Sequence, residues 1–240
     1  HDALPISLAL TQKGNLIFAQ NAGVAILDRT SLRVIHNSKL AITLSSYRFN
    51  DGACDPQGRF VTGLMDEGHS QSTGKLYRYD AGLNASVMLD HISLPNGLAW
   101  SIDGTELFFV DSVACTIYRA RYPASGSYLE QVAVFAQTPA ELGRPDGLAL
   151  DTEGGLWVCQ FNGGCLLRYD RNGVLTQTLP VPVPRPTSCC FGGPDMRTLF
   201  ITTAKFGMSA AEQADFPEAG NIYSIRLPVP GVPRHRFKEL

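Results

Sequence analysis

The chain has 240 residues, of which 44% are hydrophobic and only 18% are charged, and its formal net charge is −2. This composition supplies a core and excludes a disordered solvating chain. The charge offers no basic field for nucleic acid, and no apolar run approaches the roughly 18 residues of a membrane span, so neither partner is expected. The 23 glycines and 15 prolines favour many turns and therefore β structure.

The first residues of the chain contain no initiator methionine, no basic region and no signal-type apolar stretch. We expect either that a segment has been removed or that the sequence begins inside a longer protein. The six cysteines form no Cys-x-x-Cys pair, and most fall in apolar strand-like runs. They therefore predict buried, reduced thiols in a cytoplasmic protein rather than a disulfide framework or a zinc site.

Five segments share one pattern, in which a small residue and an apolar run are followed by a turn and a second apolar run. They begin, in chain order, at Leu8, Gly52, Gly97, Gly147 and Ser188. The turn glycines at 14, 58, 104 and 154 are 44, 46 and 50 residues apart. A period of about 40–50 residues is typical of a four-stranded propeller blade. Third strands are predicted at 74–80, 115–121, 164–170 and 220–226, and the only predicted helix is a short turn within 208–215.

The loop that enters the innermost strand of each blade lies at one end of a propeller's central channel. In this chain those loops contain Asp51, Asn96, Asp146 and either Thr187 or Ser188. Carboxylate and amide oxygens are the ligands that hard divalent cations prefer. Asn-Gly and Asp-Gly are also ordinary turn sequences. Their recurrence at one phase of the repeat, away from the hairpin turns, nevertheless favours a site in the channel.

Several short motifs are shared with a known family. They occupy residues 47–60, 94–101, 109–112, 144–151, 156–159, 162–164, 186–193 and 217–223. On these motifs the chain resembles the SMP-30/regucalcin/gluconolactonase/luciferin-regenerating-enzyme-like family from about residue 7 to residue 226. The resemblance implies a six-bladed β-propeller with one divalent metal ion, which hydrolyses sugar lactones such as an aldonolactone to the aldonic acid.

The resemblance also implies roles for individual residues. Asn96 and Asp146 match two of the family's three metal ligands, and Arg48 and Asn50 match residues that contact the substrate. Asp146 is in addition the candidate catalytic residue, because a carboxylate can accept a proton from the attacking water. Asp51 is then a carboxylate in the channel that lies near the metal ligands without being one of them. The metal stays open among calcium, zinc, manganese, magnesium and iron(II).

The chain departs from the family at its N-terminus. The family's Gly-Glu-Gly/Ser-Pro-x-Trp segment, whose glutamate is the third ligand, is absent. Glu67, Glu106 and Glu130 lie at the wrong phase of the repeat to replace it. We therefore expect a single propeller domain over residues 1–240 with its first blade largely missing and about five blades present. The complete protein is expected to be a monomer, and this chain to associate through strand edges exposed near 8–19 and 221–226.

Two other functions stay open. One is a non-catalytic propeller that binds a divalent metal such as calcium, and the other is a propeller that serves as an interaction scaffold. A serine nucleophile is not indicated, because Ser112 and Ser188 lack the Gly-x-Ser-x-Gly setting.

Overall fold

A computed structural model of the chain describes residues 6–20, 23–39, 46–68, 72–126 and 128–240. These residues form five antiparallel sheets that follow one another along the chain. Four sheets have four strands and the last has three, and each strand pairs with its sequence neighbours. The five sheets are the five repeats predicted above, so the all-β propeller fold is confirmed.

The strand bounds follow the repeat. The first blade contains β1 (Ser7–Leu10), β2 (Leu16–Gln20), β3 (Gly23–Asp28) and β4 (Arg33–Lys39). The second contains β5 (Tyr47–Cys54), β6 (Phe60–Asp66), β7 (Gly74–Tyr79) and β8 (Ala85–Ile92). The third contains β9 (Pro95–Trp100), β10 (Glu106–Asp111), β11 (Thr116–Arg121) and β12 (Glu130–Gln137). The fourth contains β13 (Arg144–Leu150), β14 (Leu156–Phe161), β15 (Cys165–Tyr169) and β16 (Leu175–Pro180), and the fifth β17 (Pro186–Gly192), β18 (Thr198–Thr203) and β19 (Ile222–Arg226).

Helical structure is confined to two short segments of the described chain. A 3-10 turn (Ala140–Leu142) precedes β13, and α1 (Ala210–Asp215) lies between β18 and β19. The helix begins with a capping box, in which Ser209 and Glu212 satisfy each other's backbone N–H groups. No helix in the ranges described above has the length and apolar composition needed to cross a membrane.

The apolar cores lie between successive blades rather than inside them. The first core joins blades one and two around Ile17, Phe49 and Phe60, and three similar cores join each later blade to the next. Among the described residues, none of these cores joins the fifth blade to the first. Because a sheet buries its apolar faces against its neighbours, the blades form one continuous stack.

The exposure expected at the two ends of this stack is found only in part. Leu8 is 59% exposed on β1 and Ile222 is 70% exposed on β19. Within the predicted 8–19 edge, however, Ile17, Phe18 and Ala19 are buried. That part of the prediction was wrong, because β2 lies between β1 and β3 inside its sheet and packs on the second blade.

The prediction for the cysteines is also confirmed only in part. All six thiols are free, and those of the cysteines at 54, 159, 165 and 189 are buried. Cys115 is half-buried and Cys190 is exposed. Cys190 alternates with the buried Cys189 along β17, so its side chain leaves the sheet on the opposite face.

The C-terminal segment 227–240 crosses the hairpin end of the propeller and contacts all five blades. The N–H of Gly231 donates to Met196 of the fifth blade, and that of Val232 donates to Leu150 of the fourth. Further along, Lys238 donates to Gly58 of the second blade and Phe237 to Leu10 of the first. Arg234 reaches the inner strands of blades three, four and five through the carbonyls of Leu98, Leu148 and Cys189. The segment therefore ties the two ends of the stack together.

Buried aspartates hold the hairpins between the first and second strands of two blades. Asp151 is fully buried, and its carboxylate accepts from Trp157 Nε1 at 3.0 Å and from Arg168 Nε at 2.7 Å. It also accepts from the backbone N–H of Gly155 at 2.7 Å. Asp55 takes the same position in the second blade, where it accepts from Tyr122 at 2.6 Å. These carboxylates anchor the turns to neighbouring strands.

Replacing Asp151 by alanine is expected to lower the free energy of unfolding by about 3–5 kcal/mol, because Arg168 and Trp157 lose a buried partner. Denaturant unfolding of the purified protein measures the change. Asp103→Ala is the matched control, since Asp103 accepts only local bonds in an exposed hairpin turn. Equal losses for the two variants would show that the buried ion pair contributes nothing beyond the turn.

Candidate functional site

The inner strands of blades two to five each contain an irregularity at the same level of the channel. The register shifts between Phe49 and Gly52 in β5, and between Pro145 and Leu148 in β13. Asn50, Asp51 and Asp146 lie inside these two shifts. In β9 the shift leaves Gly97 unpaired directly after Asn96. Because a bulge redirects the side chains around it, this common feature turns the predicted site residues out of the regular alternation.

The glycine that follows each candidate ligand is required by the neighbouring inner strand. A Cβ atom on Gly97 would lie 2.3 Å from the carbonyl oxygen of Asp146. A Cβ atom on Gly147 would lie 2.4 Å from Ser188 Oγ. Both distances are far below a normal contact, so only glycine allows this approach. The Asn-Gly and Asp-Gly pairs thus allow the inner strands that contain Asn96, Asp146 and Ser188 to approach one another closely.

Arg48 and Asn50 form a connected pair at the mouth of the channel. Arg48 Nη1 donates to Asn50 Oδ1 at 2.9 Å, and Asn50 Nδ2 donates to the carbonyl of Pro95 at 3.1 Å. Arg48 Nε also forms an ion pair with Glu67 at 3.2 Å. The Arg48 side chain is one-third exposed. The bond to Pro95 links this pair to the residue that precedes Asn96.

The Asn96 amide is oriented by hydrogen bonding. Asn96 is buried, and its Nδ2 donates to Ser112 Oγ at 3.1 Å. Ser112 Oγ in turn donates to the carbonyl of Pro145 at 2.5 Å, directly before Asp146. Since the amide nitrogen is engaged, the amide oxygen is the atom left to face a ligand.

Two carboxylates share the channel. Asp51 and Asp146 are both half-buried. Burial raises the pKa of Asp146 well above its usual range, and the negative charge of Asp51 raises it further. Burial also raises the pKa of Asp51, against the opposing effect of the Arg234 guanidinium. The anionic form of Asp146 therefore lacks a compensating positive charge, whereas Arg234 offsets that of Asp51 only in part.

A thiol lies beside these carboxylates. Cys159 is opposite the Asp146 bulge in the register of β13 and β14. Burial raises the pKa of the Cys159 thiol, the neighbouring Cys189 adds to the rise, and the charges of Asp146 and Asp51 raise it further. Cys159 is fully buried in the core between blades four and five, so its thiol stays neutral.

The donor set suits a divalent cation. A cation would supply the positive charge that the Asp146 carboxylate lacks and would add to the effect of Arg234 on Asp51. The oxygen of Asn96 is a neutral hard ligand. No group of three or more His, Cys, Asp or Glu side chains able to hold a metal is found in the described parts of the chain. An ion bound by the residues present would therefore rely on the Asn96 amide and on non-protein ligands beside the carboxylates.

Three residues at the site were not anticipated from the sequence. Glu67 is the ion-pair partner of Arg48, whereas its phase in the repeat indicates only that it does not replace the missing glutamate ligand. Ser112 bridges Asn96 to the strand of Asp146, whereas its sequence setting indicates only that it is not a nucleophile. Arg234 lies outside every repeat, and its charge reaches Asp51. The Val-Asp-Ser motif was the only available signal for Ser112, and none marked Arg234.

Comparisons with known proteins show the family of the chain and its fold. Residues 3–205 match the family model described as SMP-30/Gluconolactonase/LRE-like region. A 6-deoxy-6-sulfogluconolactonase of Pseudomonas putida is 35% identical over 225 residues, which are 92% of this chain and 76% of the relative. A luciferin-regenerating enzyme superposes with a TM-score of 0.88 at 26% identity, covering 99% of this chain and 83% of the enzyme. The calcium-binding protein regucalcin of Agrobacterium tumefaciens superposes with a TM-score of 0.87 at 25% identity, covering 100% and 80%.

Proposed function

The chain belongs to the SMP-30/gluconolactonase/LRE-like family, and from that premise we propose that it is a metal-dependent hydrolase of sugar lactones, which converts an aldonolactone to its aldonic acid. The observation that supports this most strongly is the common position of Asn96, Asp146 and Asp51 at irregular points of three adjacent inner strands. The accessible guanidinium of Arg48 at the same mouth supplies the cationic group that a polar, oxygen-rich substrate requires.

We propose the following roles for the site residues. Asn96 and Asp146 hold the divalent ion, and Asp51 supplies further negative charge in the channel. When bound, the ion polarises the lactone carbonyl or lowers the pKa of a water. Arg48, held by Asn50, binds substrate hydroxyls or balances the negative charge that develops on the carbonyl oxygen. Ser112 and Ser188 have no nucleophilic role in this proposal.

The proposed reaction is the hydrolysis of a cyclic ester and needs no oxidant or reductant. Water adds to the lactone carbonyl carbon, and Asp146 accepts the proton that this water releases. The ring C–O bond then breaks, and the proton passes to the departing ring oxygen, which becomes a hydroxyl group. The product is an open hydroxy acid.

We also propose that the complete ring has six blades, of which this chain forms five. The shares of the luciferin-regenerating enzyme and of regucalcin that are covered, 83% and 80%, are close to five sixths. The exposed Leu8 and Ile222 at the two ends of the blade stack are consistent with a sixth blade between them. The family's glutamate ligand would belong to that blade. Without the sixth blade, we expect this chain to associate with other copies of itself through the surfaces that contain Leu8 and Ile222.

The six free thiols support a reducing compartment, and we propose the cytoplasm.

A second candidate function is a divalent-metal-binding propeller without catalysis. It is favoured by the similarity to regucalcin of Agrobacterium tumefaciens, which is described as a calcium-binding protein. The two functions predict the same ion in the channel and differ only in turnover.

The test is an acid-release assay with gluconolactone, corrected for spontaneous hydrolysis in a blank. We expect turnover that EDTA abolishes and that calcium, zinc, manganese, magnesium or iron(II) restores. The assay is run on the 240-residue chain and on a version extended by the first blade of a family member, which we expect to bind the ion more tightly because it adds a carboxylate ligand. Metal binding without turnover in both proteins supports the metal-binding propeller, and the lack of both supports an interaction scaffold.

A further inference from the structure

We infer that Ser112 is a positioning residue that fixes the Asn96 amide with its oxygen toward the channel. The inference deepens the proposed function and rests on it for its consequence, the binding of a divalent cation. Its structural part, the orientation of the amide, stands on the hydrogen bonds alone.

The direction of each hydrogen bond follows from the chemistry of the three groups. The Pro145 carbonyl can only accept, so the single hydroxyl hydrogen of Ser112 is used in the 2.5 Å bond to it. The Ser112 oxygen can then only accept from Asn96, over 3.1 Å. An accepting oxygen requires the NH₂ end of the amide, so the Asn96 oxygen must point away from Ser112.

The position of Ser112 is itself held firmly. Its N–H donates to the Leu94 carbonyl at 3.0 Å, just before β9. The neighbouring Asp111 is buried, and its carboxylate accepts from four backbone N–H groups, those of Ser93, Leu94, Val113 and Ala114. The loop before β9 and the loop after β10 are thus joined through one carboxylate. Ser112 is therefore a fixed point from which the amide is aligned.

The arrangement also connects two blades. Asn96 belongs to β9 of the third blade, whereas Pro145 belongs to β13 of the fourth and directly precedes Asp146. The Ser112 Oγ atom takes part in both hydrogen bonds and so joins the two blades. Without it the amide is free to rotate, and its NH₂ end, which has no lone pair for a cation, is able to face the channel.

Ser112→Ala tests the inference. Groups that orient a metal ligand typically contribute about 10- to 100-fold to metal affinity, and we expect a loss in that range for Mn²⁺ or Ca²⁺ measured by calorimetry. We also expect the side-chain NH₂ protons of Asn96, identified by their loss in Asn96→Asp, to exchange with solvent at least about 10-fold faster than in the unchanged protein. Ser86→Ala is the control, because Ser86 donates to a backbone carbonyl on β7 far from the channel.

An isosteric pair separates the hydroxyl from simple packing. Ser112→Thr keeps the hydroxyl, so we expect it to retain the slow exchange of the Asn96 NH₂ protons and the metal affinity. Valine has the same shape as threonine but no hydroxyl, so we expect Ser112→Val to lose both. This pair also serves if Ser112→Ala does not fold. Unchanged exchange and affinity in Ser112→Val would overturn the inference. If the protein binds no cation, the exchange of the Asn96 amide decides it alone, while the proposed lactonase function fails separately.

Discussion

Replacing Asp146 by asparagine is expected to abolish lactone hydrolysis while the propeller stays folded. The substitution removes the charge of a proposed ligand and the group proposed to accept the proton from water. Loss of a positioned general base alone costs about 10²–10⁴-fold, so we expect kcat/KM to fall by at least ~10³-fold. Asparagine keeps the size of the side chain and tolerates the bulged backbone between Pro145 and Leu148.

The same substitution makes a prediction for stability in a chelator. The pKa of Asp146 is raised in the folded state, so a proton stabilises the fold at this position. That stability is fully present below the unfolded pKa of 3.8 and is lost as the pH rises through the higher folded pKa. In EDTA at neutral pH, Asp146→Asn is therefore expected to unfold at a higher temperature than the unchanged protein, and the difference is expected to shrink as the pH approaches 3.8.

The measurements are steady-state kinetics with the preferred metal and thermal unfolding in EDTA across the pH range. Asp215→Asn is the control, since Asp215 is exposed at the end of α1. It is expected to change neither quantity. A fully active Asp146→Asn enzyme with normal metal content would refute the role proposed for Asp146.

Deleting residues 231–240 is expected to unfold the chain. Phe237 is fully buried in the core between the first two blades, beside Ile17 and Phe60. Loss of a buried phenylalanine side chain alone costs about 3–5 kcal/mol. The deletion also removes the Arg234 bonds to three inner strands. The sum is comparable to the total stability of an ordinary domain, which is about 5–15 kcal/mol.

Phe237→Ala is the graded form of this experiment, and the expected loss is about 3–5 kcal/mol in denaturant unfolding. Phe206→Ala is the matched control, because Phe206 is 82% exposed and its loss opens no cavity. If the deletion left a cooperative transition of unchanged midpoint, the segment would be a passive cover and the blades would hold together without it.

The blades and their hairpin turns could be predicted from the sequence because they are formed by neighbouring residues. The glycines at 58 and 154 both adopt φ of 80°, as their turns require. The third strands fall within the predicted segments to within two residues at either end. Each of these features depends on alternation and turn chemistry inside one repeat, and the repeat then occurs five times.

The level of the candidate site residues could also be predicted, since Asp51, Asn96 and Asp146 hold one phase of the repeat. Their environment could not. The ion pair of Arg48 with Glu67 depends on the path of the chain after β6, and the effect of the Asp51 charge on Asp146 depends on the second and fourth blades facing one channel. The close approach of the inner strands of blades three to five depends on Gly97 and Gly147.

Tertiary structure alone decided the parts of the molecule that join distant segments. Arg234 donates to Leu98, 136 residues earlier in the chain, and no periodicity marks such a pair. Ser112 acquires its role only because the fourth blade brings the Pro145 carbonyl within 2.5 Å of its hydroxyl. A repeat reveals contacts that recur within each blade. The Arg234 and Ser112 contacts each occur once and join segments of different repeats or of the C-terminal segment, so they leave no pattern in the sequence.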